Sequence, residues 1–343
     1  MTDLEWPRYP TVAESPHARA WLAIQTDLQL APNTIAAYGR ALEDYLAFAR
    51  AQGLEVVDAR REHLAAYVRD LTARPNPRGR AAGAGLANAT VQLRLTAVRL
   101  FYDYLVEEGL RTTNPVGRGR YTPGTGFGGA RDRGLVPRYR TLPWIPNDEQ
   151  WRVLLTMARE EPLRNRAMLA LAYDAGLRRE ELCALATGDV DPAARLLRIR
   201  AETTKNRQAR VVPYSAPTGD LYAAYLRHRR DLSRERGPLF LAESRRNRGR
   251  PLTIWTWSKV VRRLADRAGL PEFSTHTLRH LCLTDLARAE WDIHEIATFA
   301  GHRSVQTTLR YIRLSGRELA GKLARGMDEI HAWRVRLMGE VLR

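Results

Sequence analysis

Residues 275–280 read THTLRH, residues 300–302 read AGH and residues 308–312 read TLRYI. Two further strings stand upstream, AGLRREEL (175–182) and TTKNRQARVVP (203–213). Together they set Arg178, Lys205, His276, Arg279, His302 and Tyr311 in one order along the chain. Each string is short and carries little by itself. GLR puts Arg178 where a turn enters a helix, and H-x-x-R sets His276 and Arg279 on a common helix face. Tyr311 follows His302 by nine residues.

In this order and spacing the strings resemble the tyrosine recombinase (phage integrase) family, of the Xer-like or transposon type, over most of the chain. The resemblance implies a mainly α fold. An N-terminal helical core-binding (SAM-like) domain would precede an α+β tyrosine recombinase catalytic domain with a small β-sheet. It also implies a site-specific DNA recombinase or integrase, or the transposase of a mobile element. Such an enzyme cuts and rejoins strands through a 3′-phosphotyrosine intermediate and a Holliday junction. In the family the tyrosine nine residues after the histidine is the nucleophile, which is Tyr311 here. Many members write leucine where this chain has Ala300, a change that removes a core side chain and no reactive atom.

The residue chemistry fits that expectation. Strand exchange needs a nucleophile that can hold phosphate and donors on the non-bridging oxygens. It also needs an acid for the leaving 5′ oxygen and a base for the nucleophile. Arg178 and Arg279 suit the donor role because a guanidinium fork holds two phosphate oxygens at once. Lys205 is the candidate acid. The chain has three lysines, Lys205, Lys259 and Lys322, against fifty-two arginines. Lysine can release its proton in a tuned site and arginine cannot, so a lone lysine in the turn of an expected hairpin marks proton transfer. His276 would take the tyrosine proton or orient the phosphate, and His302 would donate to a non-bridging oxygen. Glu181, where family members often carry an acid, would orient Arg178 or a histidine. Arg179 should point elsewhere on the helix. No metal or cofactor is expected. His276 and His280 lie one turn apart, but the glutamate of a His-Glu-x-x-His site and a third ligand are both missing.

Composition points to the same partner. Fifty-five basic against thirty-eight acidic residues give a net charge of +17, which favours a polyanion. A hydrophobic content of 44% is enough for packed cores. No apolar run nears the ~20 residues of a membrane helix, and MTDLEWPRYP lacks the pattern of a signal peptide. The expectation is a cytoplasmic, nucleoid-associated protein. Cys183 and Cys282 fall in apolar helical patterns and read as reduced thiols.

Residues 11–116 read as the helical core-binding unit. Pro32-Asn33-Thr34 starts a helix with Ile35, Tyr38, Leu42, Tyr45, Leu46 and Ala49 at helical spacing. A second helix covers 61–72. A third puts Val91, Leu95, Val98, Tyr102 and Leu105 on one face, and Gln92, Thr96 and Arg99 on another as candidate DNA contacts. Residues 117–142 form a basic linker with seven glycines and six arginines. The catalytic unit spans 143–315. Its helices are expected from Asn147, Asp148 and Glu149 to about 160, and near 163–174, 178–186, 217–233, 254–268, 276–289, 292–300 and 304–312. Strands are expected at 195–200 and 209–213. Residues 316–343 form an amphipathic helix, which in the family reaches a neighbouring protomer. The expected assembly is a homotetramer on double-stranded DNA with paired core sites, alone or with a second recombinase. Two other readings remain at this point. One is relaxation of DNA by a type IB topoisomerase-like enzyme, and the other is a non-catalytic DNA-binding protein.

Overall fold

The computed structural model describes residues 4–75, 85–117, 135–137, 143–204 and 206–309. The chain divides into two compact units, Met1–Thr141 and Leu142–Arg343.

The first unit is helical. It comprises α1 (Pro10–Glu14), α2 (Pro16–Asp27), α3 (Pro32–Ala51), α4 (Arg61–Ala73) and α5 (Asn88–Glu107). Proline opens α1, α2 and α3, where its fixed φ suits the first turn and its missing N–H is no loss. The apolar stripes expected from spacing are the buried ones. Ile35, Leu42, Tyr45 and Leu46 of α3 meet Val91, Leu95, Val98, Tyr102 and Leu105 of α5 in one core, with Tyr38 half-buried against it and Ala49 buried. Two polar arrangements lock these helices. Tyr102 donates to the Val56 carbonyl at 3.1 Å, so the Tyr45 hydroxyl donates to the Tyr102 oxygen at 2.5 Å. Asp44 on α3 accepts from Tyr67 (2.7 Å) and Arg74 (2.6 Å) and pairs with Arg94, which ties α3 to α4 and α5.

The second unit carries α6 (Asp148–Ala158), α7 (Leu163–Asp174), α8 (Arg179–Cys183) and α9 (Ala216–Arg229). It continues with α10 (Ile254–Arg267), α11 (Thr275–Arg288), α12 (Ile293–Ala300) and α13 (Val305–Thr308). Between α8 and α9 lie β1 (Val190–Asp191), β2 (Leu196–Ile199) and β3 (Arg210–Pro213), an antiparallel sheet in that order. Its register pairs Leu197 with Val212 and Ile199 with Arg210. Leu197, Ile199 and Val212 face the core. Helix α7 packs on α9 and α11, α10 packs on α6 and α8, and α12 packs on β3 and α11. That packing brings chain segments more than a hundred residues apart to one place.

The departures from expectation are local. Strand β2 is shorter than 195–200 because Arg195 adopts φ +53 in the turn before it. The two-residue β1 was not expected, being too short to show periodicity. Helix α9 stops at Arg229 instead of 233. That side chain is buried and donates to the carbonyls of Ser233, Glu235, Pro238 and Leu239, so the chain wraps around it. Helix α13 is described to Thr308, and the expected helix at 316–343 lies outside the described residues. Cys183 and Cys282 are free thiols. Among the described residues no helix is long and apolar enough to cross a membrane.

Replacing Tyr102 by Phe strands the buried Tyr45 hydroxyl. Urea unfolding should show a loss of about 1–3 kcal/mol, partly recovered when Tyr45 is also made Phe.

Candidate active site

The site gathers at the C-terminal end of α12. A helix leaves its last carbonyls without intrahelical partners and carries partial negative charge there. Here the last two carbonyls of α12 and that of its cap each take a guanidinium. Arg210 Nε donates to Phe299 O at 2.9 Å, Arg279 Nη2 to Ala300 O at 2.5 Å, and Arg178 Nη2 reaches Gly301 O at 3.5 Å. The arginines come from β3, α11 and the residue that caps α8. Gly301 closes α12 in the left-handed region, φ +62, where a side chain is strained. A Cβ there would stand 3.1 Å from Arg210 Cδ and Nη1, which leaves glycine as the residue that fits.

Arg178 begins α8 as its N-cap. Glu181 reaches back with one oxygen to the Arg178 backbone N–H (2.9 Å) and with the other to its Nη1 (2.8 Å). The same carboxylate receives Arg210 through Nη1 (3.0 Å) and Nη2 (2.7 Å). The Glu181 side chain is fully buried and that of Arg210 is 7% exposed, so each charge depends on the other. Burial pushes the Glu181 carboxyl up, but the hydrogen bonds and charge of Arg210, with those of Arg178, outweigh it and bring it to about 2. Glu181 is ionised at every working pH and holds two arginines in place.

Arg279 is buried. Besides Ala300 O it donates to Gly176 O at 2.5 Å, and its Nη2 lies 3.0 Å from His302 Nε2. Arginine only donates, so Nε2 accepts here. The ring proton then sits on Nδ1 and goes to Thr308 Oγ1 at 2.9 Å. To donate from Nε2 to a phosphate, His302 must carry a proton on that nitrogen, gained or shifted from Nδ1, and must part from Arg279. Gly176, at φ +54, lets the chain turn under the site with Phe299 and Cys282 close by. His276 stands on the first turn of α11, edge-to-face with His280 at a centroid distance of 4.4 Å. Partial desolvation, with the charges of Arg279 and Arg178, lowers its pKa below the usual histidine value. His276 is therefore neutral at pH 7 and able to accept a proton. Among the described residues no cluster of three or more His, Cys, Asp or Glu could hold a metal ion.

Four of the six expected catalytic residues, Arg178, His276, Arg279 and His302, and the expected support Glu181 thus share one neighbourhood. Lys205 and Tyr311 lie outside the described residues. Thr204 and Asn206, which flank Lys205, are described. Thr204 Oγ1 accepts from Gln208 N (2.9 Å), and Asn206 Nδ2 donates to Gly301 O (3.3 Å). Arg179 turns away, toward Glu180 and Ser258, with its guanidinium 5.7 Å over the Trp255 ring.

Arg210 and Thr308 were missed from sequence. Strand alternation held the signal for Arg210, which shares the inward face with Val212. In the first unit, Gln92 on α5 donates to the carbonyls of Val136 (2.7 Å) and Pro137 (3.2 Å). Thr96 donates back to Gln92 O (2.8 Å), and Arg99 is exposed.

Residues 144–318 match the model of the phage integrase family, and residues 21–109 match that of the phage integrase N-terminal SAM-like domain. The chain belongs to the phage integrase family. It is a tyrosine-type site-specific recombinase. Among its relatives, tyrosine recombinase XerD of Caulobacter vibrioides is 32% identical over 300 residues, 84% of this chain and 88% of that protein. Tyrosine recombinase XerC of Mycobacterium leprae is 31% identical over 246 residues, 68% of this chain and 76% of that protein. The fold is shared with XerH site-specific recombinase bound to palindromic difH substrate (TM-score 0.65, 20% identity, 86% of this chain and 80% of that one). It is shared as well with the Tn1549 transposon integrase in complex with transposon right end DNA (TM-score 0.66, 14% identity, 90% and 98%).

Gly301→Ala in this recombinase should cost about 1–2 kcal/mol from the left-handed backbone alone, with more from the displaced Arg210. Gly188→Ala, where a Cβ meets nothing within 4 Å, should stay within about 0.5 kcal/mol of wild type by urea unfolding.

Proposed function

We propose that Tyr311 attacks a DNA phosphodiester, forming a 3′-phosphotyrosine bond and freeing a 5′ hydroxyl. The 5′ end of a partner strand then attacks that bond and releases the tyrosine. Two such rounds, with a Holliday junction between them, complete the exchange. The observation that carries this reading is the array at the end of α12. Arg178 and Arg279 hold the successive carbonyls of Gly301 and Ala300, and Arg279 lies 3.0 Å from His302, which precedes Tyr311 by nine residues.

In this reading Arg178 and Arg279 neutralise the non-bridging oxygens as charge gathers on them. His302 joins them once its Nε2 carries a proton and turns from Arg279 toward the phosphate. Neutral His276 accepts the tyrosine proton or orients the phosphate, and Lys205 protonates the leaving 5′ oxygen. The phosphotyrosine ester conserves the energy of the broken bond, so the chemistry calls for neither nucleotide nor metal.

The DNA substrate would hold paired core sites, as the palindromic substrate of XerH suggests by analogy. Residues 11–116 would grip the duplex together with the catalytic unit at 143–315, joined by the basic stretch 117–142. Gln92, Thr96 and Arg99 are the proposed contacts of the first unit, and Gln92 would have to leave its carbonyl partners to make one. Residues 316–343 would link four protomers on DNA, in the compartment that holds the chromosome.

The test is a nicked suicide duplex from DNA flanking the gene, incubated in EDTA and run on a denaturing gel. Wild type should give a covalent protein–DNA band and Tyr311→Phe none. Arg178→Ala should slow formation of the band by about 100- to 1,000-fold, the usual effect of losing one oxyanion donor. The acid limb of the rate should fall below pH 6.5, because His276 stays neutral until the pH passes its lowered pKa. A band that persists in Tyr311→Phe would assign the nucleophile elsewhere. Tight binding with no band would return the protein to a binding role.

A further inference from the structure

We propose that Arg210 is a positioning residue for strand cleavage: gripping Glu181 and the Phe299 carbonyl at once, it sets Arg178 and the turn before His302 in register with the β2–β3 connection. The inference rests on the reading of Arg178 and His302 as phosphate-binding groups.

Three observations carry it. First, Arg210 occupies an inward strand position. Its register partner is Ile199 and its neighbour on that face is Val212, both fully buried. A charge placed there costs stability unless it is matched, and a methionine or leucine would fill the space without that cost. Second, the match is complete and has three points. Two nitrogens take the two oxygens of Glu181, and the third takes Phe299 O. Third, each partner leads to a different reactive group. Glu181 holds Arg178 by its backbone N–H and its guanidinium. Phe299 is three residues from His302, across the glycine whose missing Cβ makes room for Arg210. Arg210 itself ends the connection that includes Lys205, five residues earlier. That connection has its own tie to the same turn, through Asn206 and Gly301 O. One guanidinium thus joins three separate elements of the proposed site without facing substrate.

The charged groups about Glu181 are Arg178 from the α8 cap and Arg210 from β3. The neighbouring elements bring Arg179 and Glu180 of α8, Lys259 of α10, His276 and Arg279 of α11, Asp174 at the end of α7 and His302 beyond α12. Glu180 pairs with Arg179, Asp174 with Ser215, and His302 with Arg279 and Thr308. Without Arg210, Glu181 would keep only Arg178 against its burial. Its carboxyl would take a proton at higher pH than in wild type, and the grip on Arg178 would then loosen.

The test compares full-length wild type, Arg210→Met, Arg210→Lys, Glu181→Gln and the double variant Arg210→Met/Glu181→Gln. Covalent band formation is timed at saturating protein between pH 5.5 and 8.5, and duplex affinity is measured separately. Arg210→Met should cleave about 100-fold more slowly, the scale of a small misplacement of reacting groups. Its affinity should stay within about twofold, because many phosphate contacts share the binding. Its rate should already fall on acidification above pH 6.5, a limb additional to the His276 limb that wild type and the double variant share. Arg210→Lys restores the charge without the fork and should remove that limb. The double variant should lose far less than the product of the single losses. Cleavage by Arg210→Met at the wild-type rate, or losses that multiply, would overturn the proposal.

A wild-type protein that forms no band would sink the strand-cleavage reading instead. The pairing is then read from melting temperature without DNA. In wild type the lowered Glu181 pKa stabilises the fold fully above about pH 4.3, the unfolded value, and this is lost only as pH falls toward about 2. In Arg210→Met the folded pKa would lie above the unfolded one, so the variant is weakest at high pH and recovers as pH falls. The gap to wild type should narrow from pH 8 to pH 5, and should not do so when Glu181 is Gln. A gap that is constant with pH would overturn the pairing.

Discussion

The catalytic unit depends on the way one helix ends. Orphan carbonyls at a buried helix terminus need donors, and α12 obtains them from three arginines on three other elements. The arrangement serves both sides. The carbonyls are satisfied, and each guanidinium is fixed by part of its donor set. A guanidinium has five N–H groups, so an arginine can hold a helix end and still bind another oxygen. Lysine, with a mobile tetrahedral head, would do one or the other less well. Glu181 completes the frame by placing one negative charge between two of the three positive ones.

The first unit solves a similar problem in a different way. Its core admits tyrosine hydroxyls and one carboxylate, each with partners. Asp44 gathers donors from two other helices, and the Tyr45 hydroxyl donates a hydrogen bond to Tyr102. Buried polar groups of this kind add little net stability, but they leave few alternative packings once satisfied. Both units use long-range side-chain pairing to fix elements that hydrophobic contact alone would let slide.

Much of this was legible in the sequence. Helical spacing named the buried faces of α3 and α5, and the Asn147 cap named the start of α6, because local physics fixes both. The ordered strings named Arg178, Glu181, His276, Arg279 and His302, which the fold brings to one place. What the sequence hid was pairing across distance. Arg210 was one arginine among fifty-two, and only the strand register shows that it points inward beside Val212. Thr308 carried no signal of its own in the sequence, and the fold sets its hydroxyl against His302. The early end of α9 was equally hidden, since nothing local reveals that Arg229 collects four carbonyls from the chain beyond it. Gln92 is a caution of the same kind: a polar helix face that reads as open to a ligand can be occupied by the chain's own backbone.

The separation of these parts along the chain has a consequence for the cell. Gly176, Arg178, Arg210, Arg279 and Gly301 meet only after the sheet and the helices from α7 to α12 have closed on one another. A nascent chain still emerging from the ribosome owns the arginines but not their geometry. The same is true of a protein whose α12 has opened transiently or been clipped by a protease. In a site-specific recombinase the arginine frame then exists only in the folded unit, so folding cooperativity doubles as a safety catch.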